Sequence, residues 1–246
     1  MSEARDFTRA LYPFLAAPAP AGDARPEALL AEVRASTRQK CRDTVAVRRQ
    51  LLAEYHEQLI DAALAMAGAF TRGGKLLAFG NGGSATDAQD AALDCLVPPV
   101  PRWRSLPALA LVDDVATLTA VGNDVGFENV FLRQIIAFGE PGDVALGFST
   151  SGRSPNVLAA LAAARQRGLV TIALAGNDGG SMSAAGAAID HVFVAREEHI
   201  PRIQEGHATV WHALLEMVQA VIHAAPAAEA AAAEARTGGA VPRELA

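Results

Sequence analysis

Hydrophobic positions in the N-terminal part of the chain recur at the spacing of an α-helix. Between Pro26 and Phe70 apolar residues return every three or four positions, with polar residues between them. This periodicity predicts one long helix, or two helices in succession. Residues 1–25 contain the linker-like run Ala-Pro-Ala-Pro-Ala-Gly, which predicts a peripheral segment ahead of the main domain.

The hydrophobic pattern changes after Gly73 and Gly74, where short apolar runs alternate with helical stretches. Continuously apolar runs are typical of strands buried on both faces of a parallel sheet. The predicted strands are Lys75–Phe79, Leu106–Val112, Asp143–Phe148, Leu169–Ala175 and Asp190–Ala195. The helices predicted between and after these strands are Ser84–Leu96, Ser154–Arg167 and Ile203–His223. Strands that alternate with helices predict an α/β fold. The Ala- and Glu-rich tail, residues 224–246, is predicted to be frayed or disordered.

Composition and charge narrow the class of protein. The chain has 246 residues, 51% of them hydrophobic, which is enough for a sizeable core in one large domain or two small ones. A formal net charge of −6 argues against nucleic-acid or anionic-membrane binding, since both require a basic surface. The sequence shows no signal peptide, no apolar run of about 18 residues and no C-x-x-C pair. We therefore expect a cytoplasmic protein without a disulfide framework or a thiolate zinc site.

Two loops at predicted strand ends carry candidate chemistry, because ligands of open parallel sheets lie beyond the carboxyl ends of the strands. After the first strand, the glycine-rich run of residues 80–84 leads into a helix whose free N–H groups attract anions. Ser84 and Asp87 resemble a capping pair there. A turn of this composition also serves simply to join a strand to a helix, so both interpretations stay open.

The loop after the third strand, residues 149–156, reads Ser-Thr-Ser-Gly-Arg-Ser-Pro-Asn. Four hydroxyls at a helix N-terminus predict a cradle for a phosphate monoester. An ordinary N-cap would need only Ser154 and would leave the other three hydroxyls unexplained. Arg153 either adds a contact to the anion or faces solvent. Asp178, in the loop after the fourth strand, either approaches the ligand or serves only as a turn residue.

Five segments of the chain together resemble the sugar isomerase (SIS) domain family and, within it, the phosphoheptose isomerases. They read FGNGGSATDAQ, LTAVGNDVGFENVF, GDVALGFSTSGRSPNVLAALAAARQRG, IALAGNDGG and RIQEGH, in the family's order over about residues 50–222. The resemblance implies a flavodoxin-like three-layer fold with a five-stranded parallel sheet plus N-terminal helices, in a SIS domain of residues 26–223. It also implies a homotetramer that binds a phosphosugar between its subunits.

The same resemblance implies roles for individual residues. The phosphate contacts are Ser149, Thr150, Ser151 and Ser154, and the sugar contacts are Asn81, Gly82, Gly83, Ser84, Asn123, Asp124 and Gln204. An aldose–ketose isomerisation needs a base and an acid, and the resemblance places this pair at Asp94 and His212. The positions that match the family's metal site are Asp90, Asp94, Gln204 and His212.

The helix after the glycine loop departs from the family pattern. Asp90 stands where these enzymes have a zinc-binding histidine, and Asp94 where they have a catalytic glutamate. The shorter carboxylate displaces the proton acceptor by about 1 Å, which can lower a rate on the order of a hundredfold. The harder donor set shifts the preference from Zn²⁺ towards Mg²⁺ or Mn²⁺, or towards no metal. Gln204 and His212 are about 12 Å apart along a helix, so a shared site requires two subunits or a bend near Gly206.

Two functions follow from these observations. The intact loops, together with Gln204 and His212, favour an aldose–ketose isomerase, with sedoheptulose 7-phosphate as the expected substrate. Asp90 and Asp94 favour a non-catalytic SIS protein that senses a phosphosugar or assists assembly, as the family's replication-initiator-associating proteins do. A different phosphosugar chemistry that uses the two aspartates is a third possibility. We expect the isomerase.

Overall fold

A computed structural model describes residues 26–237 of the chain. The long amphipathic stretch forms a single helix, α1 (Pro26–Thr71), so the first of the two alternatives is correct. The chain divides into two compact units between Arg42 and Asp43, and the sheet and the candidate site belong to the second unit. The predictions for residues 1–25 and for the end of the tail, residues 238–246, lie outside the described residues.

A five-stranded, all-parallel sheet forms the middle layer of the second unit, as the apolar runs predicted. Its strands are β1 (Leu76–Gly80), β2 (Ala108–Ala110), β3 (Val144–Ser149), β4 (Val170–Gly176) and β5 (His191–Ala195), in the order β2-β1-β3-β4-β5. This is the strand order of flavodoxin-like folds. Strand β2 is shorter than predicted, because it lies at the sheet edge and follows Pro107, which has no N–H to donate.

Helices cover both faces of the sheet. They are α2 (Gly83–Leu96), α3 (Val115–Asp124), α4 (Leu132–Phe138), α5 (Pro155–Gln166), α6 (Gly180–Ala184) and α7 (Ile200–Thr237), with single 3₁₀ turns at Phe127–Asn129 and Gly186–Ala188. Successive strand residues point to opposite faces, so Leu76 belongs to one buried cluster, with residues of α1, α2 and α7, and Leu77 to another, with residues of α4 and α5. The three-layer α/β prediction is confirmed.

The last helix is longer than predicted. It continues past His223 as far as Thr237, since the alanine- and glutamate-rich sequence after that residue has high helix propensity. Within residues 26–237, no helix combines the length and the apolar character that crossing a membrane requires.

Candidate active site

The loop after β3 gathers three hydroxyl groups at the N-terminus of α5. Ser149 Oγ lies 2.9 Å from Ser154 Oγ and 3.5 Å from Ser151 Oγ. Ser154 occupies the N-cap position, but its hydroxyl makes no capping hydrogen bond, so ordinary helix capping does not explain it. Ser149 is buried, and Thr150, Ser151 and Ser154 are half-buried. These groups therefore lie at the positive end of a helix dipole, where an anion is stabilised.

A pair of asparagines joins this hydroxyl loop to the glycine loop after β1. Asn81 Nδ2 donates to Asn156 Oδ1 at 2.9 Å, and Asn156 Nδ2 donates to Asn81 Oδ1 at 2.8 Å. Asn156 is 2% exposed, and its Oδ1 also accepts a hydrogen bond from Val157 N. The strand order reverses between β1 and β3, and ligands of open α/β sheets bind at that switch point. The asparagine pair therefore connects the two loops at the position where this fold binds ligands.

Helix α2 does not begin with the predicted capping pair. Its N-cap is Gly82, with a left-handed φ of 57°, and no side chain caps the helix there. The capping prediction is wrong, because Ser84 lies inside the helix and the Asp87 carboxylate accepts from Gln204 Nε2 at 3.3 and 3.5 Å. A Cβ at Gly83 would lie 2.6 Å from that same Gln204 nitrogen. Glycine at this position therefore lets the Gln204 amide pack directly on the loop.

Polar residues of α2 and α7 meet at two levels. At the first level Gln204 donates to Asp87. At the second level Trp211 Nε1 donates to Asp94 Oδ2 at 3.0 Å, and His212 Nε2 lies 3.6 Å from the same oxygen. From Gln204 to Trp211 and from Asp87 to Asp94 is two helical turns, so the two helices run in parallel here. The predicted acid/base pair, Asp94 and His212, is thus brought together.

The four predicted metal ligands are not gathered at one point. Asp90 is exposed, and the Gln204 amide N–H is directed at Asp87. The bend near Gly206 is wrong, because α7 is continuous there and carries Gln204 and His212 to different turns of α2. In the part of the chain that the structure describes, no three His, Cys, Asp or Glu side chains are close enough to hold a metal ion. These side chains, as placed, do not fit a metal ion, and a site shared by two subunits stays a prediction.

Asp87 is one of the residues of the candidate site that the sequence did not reveal, together with Asn156 and Trp211. Asp87 lines a cavity of about 60 Å³ together with Asp90, Phe148, Trp211 and His212. Burial raises the Asp87 pKa to about 6, the hydrogen bond from Gln204 opposes that shift, and the neighbouring Asp90 charge adds to it. A carboxyl group with such a pKa can both accept and donate a proton near neutrality. The sequence signal was the two-turn spacing from Asp87 to Asp94, which places both on one helix face.

The structure places Asn123 and Asp124 at the exposed C-terminal end of α3. Their side chains are joined to each other, with Asn123 Nδ2 donating to Asp124 Oδ1 at 2.7 Å. Contact between these residues and the sugar stays a prediction.

The parallel sheet and the two loops at its switch point are typical of α/β domains that bind phosphosugars. The SIS domain family matches residues 41–176, and the chain belongs to this family. The chain is 47% identical over 185 residues to the phosphoheptose isomerase of Paramagnetospirillum magneticum. The matched region covers 75% of this chain and 92% of the relative.

Solved structures agree with this relationship. The phosphoheptose isomerase of Neisseria gonorrhoeae has a TM-score of 0.69 and 36% identity, covering 78% of this chain and 99% of the other. The phosphoheptose isomerase of Francisella tularensis has a TM-score of 0.68 and 31% identity, covering 77% of this chain and 97% of the other. The chain is therefore similar to phosphoheptose isomerases over most of their length.

Proposed function

We propose that this protein is an aldose–ketose isomerase of a phosphorylated sugar and that sedoheptulose 7-phosphate is its substrate. The observation that carries the proposal is the hydroxyl cluster at the N-terminus of α5, which the Asn81 and Asn156 amides join to the helix that bears Asp87 and Asp94. The relatives named phosphoheptose isomerase support the choice of substrate.

Phosphate binding belongs to the loop after β3. The hydroxyls of Ser149, Thr150, Ser151 and Ser154 and the free N–H groups of α5 hold the phosphate. The carbon chain of the sugar then lies along the glycine loop and the start of α2. Its proposed contacts are Asn81, Gly82, Gly83, Ser84, Asn123, Asp124 and Gln204.

We assign proton transfer to Asp94 on α2 and His212 on α7, which lie next to each other where the two helices pack. Asp94 removes the proton from the carbon beside the carbonyl group, and the electron pair forms the enediol as the carbonyl oxygen takes up a proton. Asp94 then delivers its proton to the former carbonyl carbon while the neighbouring hydroxyl group loses its proton. The Trp211 N–H donates a hydrogen bond to the Asp94 carboxylate and so helps to hold it in position. His212 exchanges protons with the substrate oxygens, and Asp87, whose carboxyl group lines the same cavity as His212, can do so as well.

Two further parts of the proposal concern the assembled protein. A second subunit of a homotetramer completes the site, which is consistent with the solvent exposure of His212 in the single chain. A divalent ion, Zn²⁺, Mg²⁺ or Mn²⁺, would use Asp90, Asp94, Gln204 and His212. Because the single chain does not gather these residues, no step of the reaction is assigned to the ion.

The test is to incubate the purified protein with sedoheptulose 7-phosphate and follow formation of the aldose by NMR. The assay is run after chelation and again with each of the three metal ions. We expect turnover in at least one condition. Binding of the phosphosugar without conversion in any condition would instead identify a non-catalytic sensor, the function that Asp90 and Asp94 favour. A product other than the aldose would indicate a different phosphosugar chemistry, and absence of both binding and turnover would refute all of these functions.

A further inference from the structure

The hydroxyl loop at the phosphate site, residues 149–154, is held from one side by a second loop. This second segment, which comprises the turn of residues 177–179 and the start of α6 (residues 180–182), follows β4 and is called the bracing loop here. Asn177 Nδ2 donates to the Thr150 carbonyl oxygen at 3.1 Å, and Met182 N donates to the Gly152 carbonyl oxygen at 3.0 Å. Two carbonyl oxygens, whose partial negative charge would repel a phosphate, are therefore engaged by the bracing loop.

The bond from Asn177 also sets the direction of a neighbouring N–H group. All described peptide bonds are trans, and in a planar trans peptide the carbonyl oxygen and the N–H of the next residue point in opposite directions. Fixing the Thr150 carbonyl towards Asn177 therefore fixes the Ser151 N–H on the far side. Ser151 belongs to the loop that carries the hydroxyl cluster, and an oriented backbone N–H in such a loop can bind an anion.

The backbone of Asn177 is itself unusual. Among residues 26–237 it is the one non-glycine residue with a left-handed φ, at 55°. That conformation is unfavourable for L-residues, and asparagine is one of the few that tolerate it. Asn177 N donates to Glu197 O at 3.1 Å, which anchors this conformation to the segment after β5. The side-chain amide is thereby aimed at Thr150.

Close backbone packing keeps the two loops together. A Cβ at Gly152 would lie 2.1 Å from the Gly179 carbonyl oxygen, and one at Gly176 would lie 2.4 Å from the Thr150 carbonyl oxygen. At this spacing the hydroxyl loop cannot shift without moving the bracing loop. The position of the hydroxyl loop is therefore coupled to the bracing loop.

An exposed ion pair closes the outer end of the same contact. An Arg153 guanidinium nitrogen lies 2.7 and 3.0 Å from the two Asp178 carboxylate oxygens, and Arg153 also donates to Ser151 O at 3.3 Å. The Gly180 N–H and the Arg153 guanidinium hold the Asp178 pKa below its usual range. In this structure Arg153 and Asp178 therefore pair with each other. Since both are exposed, the pair adds little stability, and the inner bond from Asn177 is the one to test.

We infer that Asn177 is a positioning residue, which orients the Ser151 N–H towards the phosphate by binding the Thr150 carbonyl oxygen. The inference rests on the proposed phosphosugar site and goes beyond it, because it assigns a role to the loop after β4. It requires Asn177 to control phosphate affinity and to leave proton transfer at Asp94 and His212 unchanged.

The experiment compares three variants in the full chain. Asn177→Gly tolerates the left-handed backbone and removes the amide donor. Asn177→Asp also tolerates it and replaces the donor with an oxygen facing the Thr150 carbonyl. Asp190→Ala is the control, since Asp190 accepts from Thr171 N and Oγ1 at 3.0 and 2.8 Å near the opposite end of β4. For each protein we measure the Kd of inorganic phosphate by calorimetry, the melting temperature, and KM and kcat for sedoheptulose 7-phosphate.

Loss of one hydrogen bond predicts that Asn177→Gly weakens phosphate binding about three- to tenfold, and that KM rises by a similar factor with kcat within about twofold. Asn177→Asp should weaken phosphate binding at least as much as Asn177→Gly does. Asp190→Ala should lower the melting temperature and leave the Kd of phosphate unchanged. A purely structural role would appear as a lower melting temperature and an unchanged Kd in Asn177→Gly, and would overturn the inference. If the wild type binds no phosphate, the proposed site and this inference both fail.

Discussion

At Asp94, one methylene group separates this chain from the glutamate that its resemblance to phosphoheptose isomerases implies. The structure nevertheless gives this shorter carboxylate a hydrogen bond from Trp211 and places His212 beside it. Both partners lie on α7, so the packing of α2 on α7 determines the position of the Asp94 carboxylate, the proposed proton acceptor. We therefore expect activity to depend on that contact as well as on the residue type.

Replacing Asp94 tests its role as the base. Asp94→Asn keeps the shape of the side chain and its contact with Trp211 but removes the proton acceptor. We expect kcat for sedoheptulose 7-phosphate to fall about 10²- to 10⁴-fold with little change in phosphate affinity. The matched control is Glu216→Gln, an exposed carboxylate one turn after His212 on α7. Activity close to wild type in Asp94→Asn would show that another group is the base.

The raised pKa of Asp87 predicts a pH dependence of stability. Between its usual pKa of 3.8 and its folded value of about 6, the folded protein keeps a proton that the unfolded chain releases. Asp87 therefore lowers the free energy of unfolding as pH rises through that window. Wild type should lose more stability than Asp87→Asn between pH 4 and pH 7, as measured by guanidinium unfolding.

His207 acts in the opposite direction, because burial lowers its pKa to about 4 and the folded state excludes a proton that the unfolded state binds. Since wild type and Asp87→Asn both contain His207, its contribution cancels in the comparison. Equal pH dependence in the two proteins would mean that Asp87 does not titrate near pH 6.

At the scale of elements, the starts of α2 and α5 are joined by one pair of side chains. Asn156→Ala would leave the Asn81 amide without its partner, which we expect to cost about 1–3 kcal/mol of stability. Either single substitution breaks both hydrogen bonds. The double variant Asn81→Ala/Asn156→Ala should therefore cost less than the sum of the two single variants. Urea unfolding of the four proteins measures this, and additive costs would show that the pair is not coupled.

At the scale of the whole molecule, large apolar side chains of α1 face solvent in the single chain. Leu52 is 64% exposed and Leu64 is 51% exposed, and we expect another copy of the chain to cover them in the proposed assembly. We expect wild type to elute as a tetramer and Leu52→Glu/Leu64→Glu as a smaller species with reduced turnover. Light scattering after size exclusion measures the mass, with Glu57→Gln on the same helix as the control. A monomeric and active wild type would contradict the proposed assembly.

The sequence alone determined the alternation of strands and helices and the type of the longer elements. Hydrophobic periodicity and continuous apolar runs are local properties, and they located the first helical stretch, all five strands and the helices α2, α5 and α7, whereas the shorter helices α3, α4 and α6 were not predicted. The hydroxyl-rich loop was equally visible, because Ser149, Thr150, Ser151 and Ser154 lie within six positions just before a proline that begins a helix.

Only the tertiary structure decided which of these residues meet. Gln204 binds Asp87 across 117 positions, Asn81 binds Asn156 across 75 and Asn177 binds Thr150 across 27. No local pattern contains such pairs, because they arise where separate elements pack at the switch point of the sheet. Burial likewise follows from packing, so the sequence does not predict the raised pKa of Asp87, and the local pattern around Asp87 predicts only a capping residue.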